Sequence, residues 1–326
     1  MGSKYKMLEH IWGIAKQLEF STVVDLFSGS GAVSYLFKCH NKQVIANDYL
    51  HMAANIAVAL IENRSEKLLE DDVLLLTSNT NQSDSFVTRT FEGIYYVRED
   101  NEFIDLVRCN IASLGHPFKQ ALARAALIRA CLKKQPRGIF TYTGLRYDDG
   151  RGDLRRTLRE HFFIAVTELN EAVFDNLRDN KVYQMDALGL IVPDHALIYM
   201  DPPYFSAFSD NDYVRRYHLV EGIACNWRGV DIQMHTKTKK FKGYPSPFSS
   251  RSGAKNALET LFERYRNHPI MLSYSSNSYP DKDSILGMLK SHKKTVDVVP
   301  LDYLYCIGNK KSRRHNKVQE FIFVAS

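Results

Sequence analysis

The tetrapeptide Asp201-Pro202-Pro203-Tyr204 directly follows the apolar run Ala196-Leu197-Ile198-Tyr199-Met200. A proline pair cannot continue a hydrogen-bonded ladder, so a strand must end there. Two fixed φ angles stiffen the corner and aim the Asp201 carboxylate and the Pro202 carbonyl at one point. Both groups are acceptors, and a single exocyclic NH2 has two hydrogens to give them. Such bonds discourage conjugation of the nitrogen lone pair into a ring and leave it freer to attack an activated methyl in line. Tyr204 supplies a flat face on which an unstacked base can rest. The competing reading is a proline turn that only closes a strand, with Asp201 as a local cap.

A second candidate is Asp25-Leu26-Phe27-Ser28-Gly29-Ser30-Gly31, which ends the β-branched, apolar run from Thr22 to Phe27 and precedes a helical stretch from Ala32 to Lys38. Two glycines let the backbone approach a ligand closely, and a helix N-terminus presents free N–H groups. A nicotinamide fingerprint would need glycine at position 34, where the chain carries Ser34. About twenty residues further on, Asn47-Asp48 ends a second strand, Gln43 to Ala46. An acid at that place can receive two ribose hydroxyls. It can equally serve as the N-cap of the next helix.

These motifs need a frame to hold them. The strands at Thr22–Phe27 and Gln43–Ala46, with a helix between and helical spacing from His51 to Asn63, make a βαβ unit that opens a parallel sheet. The pattern weakens from about Leu76 to Asp100, and amphipathic helices return over Glu102–Leu114, Phe118–Lys134 and Leu154–Phe174. The sheet resumes at Ala196–Met200 and continues with a strand at Pro269–Tyr274, after a helix at Glu259–Tyr265. A helix at Asp283–His292 follows, and Leu301–Cys306 with Glu320–Val324 form a hairpin around Gly308-Asn309-Lys310-Lys311. The expected boundaries are a catalytic and cofactor-binding part over 1–75 and 181–326 and an inserted part over 76–180.

Composition excludes several classes. With 326 residues, 44% hydrophobic and 25% charged, the chain has the make-up of a globular protein. It has no apolar stretch near the ~18 residues that span a bilayer, and its start lacks the apolar core of a signal peptide, so a cytoplasmic location is expected. The five cysteines are scattered without a C-x-x-C pair, and the eleven histidines lack metal spacing, so neither a disulfide framework nor a metal is expected. The net charge of +6 is unevenly spread: residues 116–160 hold eleven Lys/Arg against four Asp/Glu, and 303–319 hold five basic residues and no acidic one. Such clusters suit a surface that tracks phosphates, although basic runs are commonly just solvated faces.

Taken together, the sequence resembles the D12-class adenine-specific DNA methyltransferases, in which a glycine motif precedes Asp-Pro-Pro-Tyr. The resemblance runs over essentially the whole chain. It includes Gly2-Ser3-Lys4, Asn47-Asp48, the segment from Cys131 to Gly138, Tyr147-Asp148-Asp149-Gly150-Arg151, Asp210-Asn211-Asp212-Tyr213, Tyr244 to Phe248 and Leu272 to Asp281. It implies an α/β, Rossmann-like S-adenosylmethionine-dependent methyltransferase fold with an inserted, mainly helical target-recognition domain. It also implies that Lys4, Asp25, Phe27, Ser28, Gly29 and Gly31 contact the cofactor S-adenosylmethionine, that Asp48 takes its ribose hydroxyls and that Asp186 accepts from its adenine amine. Asp201, Pro202, Pro203 and Tyr204 would hold a flipped-out adenine of double-stranded DNA for methylation at N6.

Within the inserted part, Arg137, Tyr142, Arg146, Arg151 and Arg155 suit contacts to phosphates and base edges, and Asn277 matches a family motif near the target base. Some of these basic residues will be ordinary surface charges. Two other readings stand beside this one: an N-methyltransferase acting on RNA or a protein amide, and a DNA-binding subunit without catalysis. No nuclease motif is present, so a restriction endonuclease partner would be a separate polypeptide.

Overall fold

The computed structural model of the chain describes residues 4–79, 84–143, 150–205, 212–307 and 314–326. Gly2-Ser3, Arg146, Tyr147-Asp148-Asp149, Asp210-Asn211 and the Gly308-Asn309-Lys310-Lys311 turn lie outside them. The described chain is a mixed α/β structure that divides into two units, one of Leu50–Asn176 with Tyr213–Tyr244, the other of Gly2–Tyr49, Leu177–Asp212 and Pro245–Ser326.

The second unit holds a sheet of seven strands: β1 (Thr22–Asp25), β2 (Gln43–Asn47), β3 (Lys181–Tyr183), β4 (Leu197–Met200), β5 (Ile270–Ser275), β6 (Val296–Ile307) and β7 (Arg314–Ala325). Their order is β3-β2-β1-β4-β5-β7-β6. All neighbours up to β5 run parallel, and β7 lies antiparallel between β5 and β6. The arrangement is Rossmann-like, as expected. β1, β4 and β5 are buried along their whole length, which explains why they read as continuous apolar runs without alternation.

Helices cover both faces. On one, Leu258, Leu261 and Phe262 of helix Arg251–Arg264 and Ile285 and Leu289 of helix Lys282–His292 pack on Val24, Ile198, Met200 and Leu272. On the other, Phe37 of helix Ala32–Cys39 meets Tyr199 edge-on at 6.4 Å and Trp12 of helix Leu8–Ala15 at 6.4 Å. Each fully buried Leu, Ile or Phe contributes about 1.5–3 kcal/mol through removal of its surface from water.

The structure departs from the sequence reading mainly at edges. β3 was not anticipated, because three residues with two exposed side chains carry no apolar pattern. The terminal hairpin is longer than expected, since β6 begins at Val296 and runs through Pro300. A proline is tolerated there because β6 is the edge strand, with β7 as its one neighbour in the sheet.

The other unit is helical. Helix Pro117–Lys134 buries Leu122, Leu127 and Ile128, and helix Leu158–Ala172 buries Phe162 and Leu169, in one apolar cluster. Its buried carboxylates cap helix ends. Asp105 accepts from the backbone of Val87 and Thr88, and Glu221 accepts from the backbone of His51 and Met52. Negative charge at those ends opposes the partial positive charge of the helix N-terminus.

Candidate active site

In an open α/β sheet, ligands bind outside the carboxyl ends of the strands where the order reverses. Here that point lies between β1 and β4, which are neighbours although Leu197 follows Asp25 by 172 positions. The Leu26 N–H donates to the Tyr199 carbonyl at 3.1 Å, so the pairing persists just past the end of β1. The Asp25–Gly31 turn and the Asp201–Tyr204 corner therefore leave the sheet side by side.

At the corner, one oxygen of Asp201 is heavily engaged. The Tyr204 hydroxyl donates to Oδ1, and the Lys4 ammonium lies 3.3 Å from the same atom. Lys4 Nζ also donates to the Tyr204 hydroxyl at 2.8 Å and to Glu320 Oε2 at 3.0 Å. Among the described residues, Oδ2 of Asp201 receives no hydrogen bond. The Asp201 side chain is 20% exposed, whereas those of Lys4 and Glu320 are 7% and 1% exposed. The Tyr204 ring is partly buried and meets Tyr274 edge-on at 5.0 Å. Burial first, then the charges of Asp201 and Glu320, push its hydroxyl well above the usual tyrosine range, so it stays protonated and serves as a donor.

The glycine turn is built tightly. Gly29 has φ +51° and Gly31 φ +75°, a left-handed conformation that side chains with a Cβ rarely adopt. Gly31 is the N-cap of helix Ala32–Cys39. The Gly29 N–H donates to Oδ2 of Asp48 at 2.8 Å. Beneath the turn, Asn47 donates to the carbonyls of Leu26 and Met185, both at 3.1 Å, and thereby ties three strand-end loops together. Asp25 is buried, and its Oδ2 accepts from the Ser34 hydroxyl at 2.6 Å. Its Oδ1 and the buried Ser28 hydroxyl have no hydrogen-bond partner among the described residues. Burial, helped by the nearby charges of Asp201 and Asp48, pushes the Asp25 carboxyl up to about 7.

The remaining expected residues are distributed as follows. Phe27 sits partly buried against Phe248, edge-on at 5.5 Å. Asp186 follows β3, is exposed, and caps a short helical turn by accepting from the Leu188 N–H at 3.0 Å. Asn277 follows β5 and is exposed, with its Oδ1 accepting from Ser275 at 2.8 Å. The corner reaches this loop through Phe205, whose carbonyl accepts from the Tyr279 N–H at 2.9 Å. Arg137, Tyr142, Arg151 and Arg155 all belong to the helical unit. Arg137, Tyr142 and Arg155 are exposed, and Arg151 donates to the Gln135 carbonyl at 3.3 Å.

Comparison with known proteins bears on this arrangement. The sequence profile of the D12 class N6 adenine-specific DNA methyltransferases matches residues 1–248, well over half of the chain. The chain belongs to this family. This D12-class methyltransferase is 29% identical to the type II methyltransferase M2.HphI of Haemophilus parahaemolyticus, over 99% of its own length and 96% of that protein. It is 27% identical to the type II methyltransferase M.FokI of Planomicrobium okeanokoites, over 99% of its own length, but it spans only about half, 52%, of that protein. With the type II methyltransferase M.NlaIII of Neisseria lactamica it shares 24% identity over 90% of this chain and 86% of the other. The chain is accordingly an adenine-specific DNA methyltransferase, and DNA is its substrate.

One residue of the corner escaped the sequence reading. Glu320 lies 116 residues beyond Tyr204 in a strand that reads as ordinary apolar sequence. The available signal was a single acid beginning the otherwise apolar run Phe321-Ile322-Phe323-Val324, a weak one on its own. Ser34 was noticed only because it breaks a nicotinamide fingerprint; its hydroxyl is the partner of Asp25.

Proposed function

We propose that this enzyme transfers a methyl group from S-adenosylmethionine to N6 of an adenine extruded from duplex DNA at a specific site. The observation that carries the reading is the division of labour on Asp201, with Oδ1 engaged by Tyr204 and Lys4 and Oδ2 receiving no hydrogen bond among the described residues. Oδ2 and the Pro202 carbonyl are two acceptors for the two hydrogens of an exocyclic amine. Held so, the nitrogen keeps its lone pair out of the ring. Oδ2 is then also the acceptor beside the amine as it sheds a proton. The Tyr204 ring offers the stacking face for the flipped base.

The residues of the glycine turn suit the cofactor. Two unpartnered buried oxygens, Asp25 Oδ1 and Ser28 Oγ, lie at a turn whose glycines permit close approach, and both can accept from the ammonium of an amino acid moiety. Asp48, whose Oδ2 holds the Gly29 N–H, would take ribose hydroxyls, and Asp186 would accept from the adenine amine. S-adenosylmethionine supplies an electrophilic methyl on a sulfonium. Segment 76–180, with Arg137, Tyr142, Arg146, Arg151 and Arg155, is the proposed target-recognition part, and 1–75 with 181–326 the catalytic part; Asn277 would lie by the target base. The names of the relatives, type II methyltransferases, support a role in restriction-modification, and on this reading the enzyme acts in the cytoplasm beside a separately encoded endonuclease.

The test is transfer of labelled methyl from S-adenosylmethionine to duplex DNA by Asp201→Ala, with cofactor binding measured in parallel. The variant should lose transfer and keep the cofactor. Substantial residual transfer would remove the carboxylate from the mechanism. Long-read sequencing of DNA from an expressing host would report the modified base and its surrounding sequence.

A further inference from the structure

Glu320 is the one carboxylate at the corner for which the reaction as proposed above has no use. It sits on β7 opposite Ser275 of β5, outside the residues matched by the family profile. It is 1% exposed, its Oε2 accepts from Lys4 at 3.0 Å, and its Oε1 has no hydrogen-bond partner among the described residues. Burying a carboxylate is costly unless it is paired, and even a paired buried ion adds little net stability. The value of the pair must then lie in geometry.

An ammonium has three N–H donors. Those of Lys4 face Glu320 Oε2 at 3.0 Å, the Tyr204 hydroxyl at 2.8 Å and Asp201 Oδ1 at 3.3 Å. A lysine side chain loses about 2 kcal/mol of rotamer entropy when fixed, so one contact to an exposed group would not hold it still. The closed side of the network holds Glu320 and the open side holds Asp201. We infer that Glu320 is a positioning residue of the methyl-transfer site: it anchors Lys4, and through Lys4 and Tyr204 it fixes the Asp201 carboxylate so that Oδ1 stays engaged and Oδ2 faces the substrate amine. The inference rests on the reading of Asp201 given above.

The experiment compares Glu320→Gln, Lys4→Met, the double variant and Asp201→Ala in one assay of kcat, KM for duplex DNA and cofactor Kd, with thermal unfolding alongside. Glu320→Gln keeps the shape and weakens a charge-assisted hydrogen bond, so kcat should fall roughly ten- to a hundredfold. KM for DNA and cofactor Kd should stay within about threefold. Because Glu320 acts through Lys4, the double variant should be no slower than the slower single variant, a non-additivity that a merely structural role would not produce. Multiplied losses in the double variant, or wild-type kcat in Glu320→Gln, would overturn the inference. Should Glu320→Gln fail to fold, Glu320→Asp takes its place: wild-type kcat in it or in Lys4→Met would overturn the inference, and a loss of kcat in both that does not multiply in the double variant would uphold it. If Asp201→Ala stays active, the reading of the corner itself has failed; if Asp201→Ala is dead while Lys4→Met and Glu320→Gln are unimpaired, only the role of Glu320 has.

Discussion

The backbone N–H of Gly29 and the Oδ2 atom of Asp48 are joined at 2.8 Å, so the acid just past the end of β2 holds the glycine turn in shape. Asp48→Asn preserves size and removes charge. Cofactor Kd measured by titration calorimetry should rise about tenfold or more, the loss typical of a charge-assisted bond, with binding of duplex DNA unaltered. An unchanged cofactor Kd would leave Asp48 with a purely structural role at the turn.

Gly29 is demanded by conformation and not by space. A Cβ added there would meet only the Phe27 carbonyl, at 3.8 Å, but φ is +51°. Left-handed backbone costs an ordinary residue about 1–2 kcal/mol, more when it is β-branched and less for asparagine. Gly29→Val should therefore weaken the cofactor much more than Gly29→Asn does. Equal damage from both would point to crowding instead.

Asp25 gives the protein a pH signature. Its carboxyl is pushed from the ordinary 3.8 up to about 7 by burial, so the folded chain binds more protons than the unfolded one between those values. Stability must then fall as pH rises from about 4 to about 7, by up to ~4 kcal/mol from this group. Asp25→Asn should flatten that part of the Tm profile and be relatively more stable at pH 8 than at pH 5. A cationic ligand favours ionised Asp25, so cofactor affinity of the native protein should strengthen as pH rises through about 7, and calorimetry across that range checks it.

The hydroxyl and the ring of Tyr204 are separable. Tyr204→Phe removes the donor to Asp201 Oδ1 and the acceptor for Lys4 but keeps the aromatic face. We expect kcat to drop roughly tenfold with KM for DNA little changed, and Tyr204→Ala to raise KM as well. Rapid-quench measurement of the methyl-transfer step distinguishes the two; wild-type behaviour of Tyr204→Phe would deny the hydroxyl any part, and identical behaviour of Phe and Ala would deny the ring one.

Replacement of Arg137, Arg151 and Arg155 together by alanine should flatten the dependence of DNA affinity on salt. Each phosphate contact contributes about 0.9 to the slope of log K against log salt, so the slope should fall by about 1 to 3. A slope identical to that of the native enzyme would assign these arginines to ordinary solvent.

The sequence disclosed what is local. Strand, turn and helix follow one another within a dozen residues around Gly29, and the proline corner at Pro202 is a break that no strand can absorb, so both strand ends were readable. The contacts that complete the site come from elements distant in sequence. Lys4 reaches Asp201 across 197 positions and Glu320 lies 316 positions from Lys4, separations that no periodicity or motif encodes. The exposed strand β3 was equally invisible, because strands betray themselves by burial pattern and this one has none. The resemblance pointed to Asp186, and its hydrogen bond to the Leu188 N–H depends on the turn that follows β3, which the sequence did not show.

β7 lies between two strands that precede it in the chain, β5 and β6, and carries the carboxylate that anchors Lys4. The corner can therefore be complete only after β7 has been made and has paired with strands that precede it. Deleting β7 would leave an open slot between β5 and β6 and a lysine without its anchor.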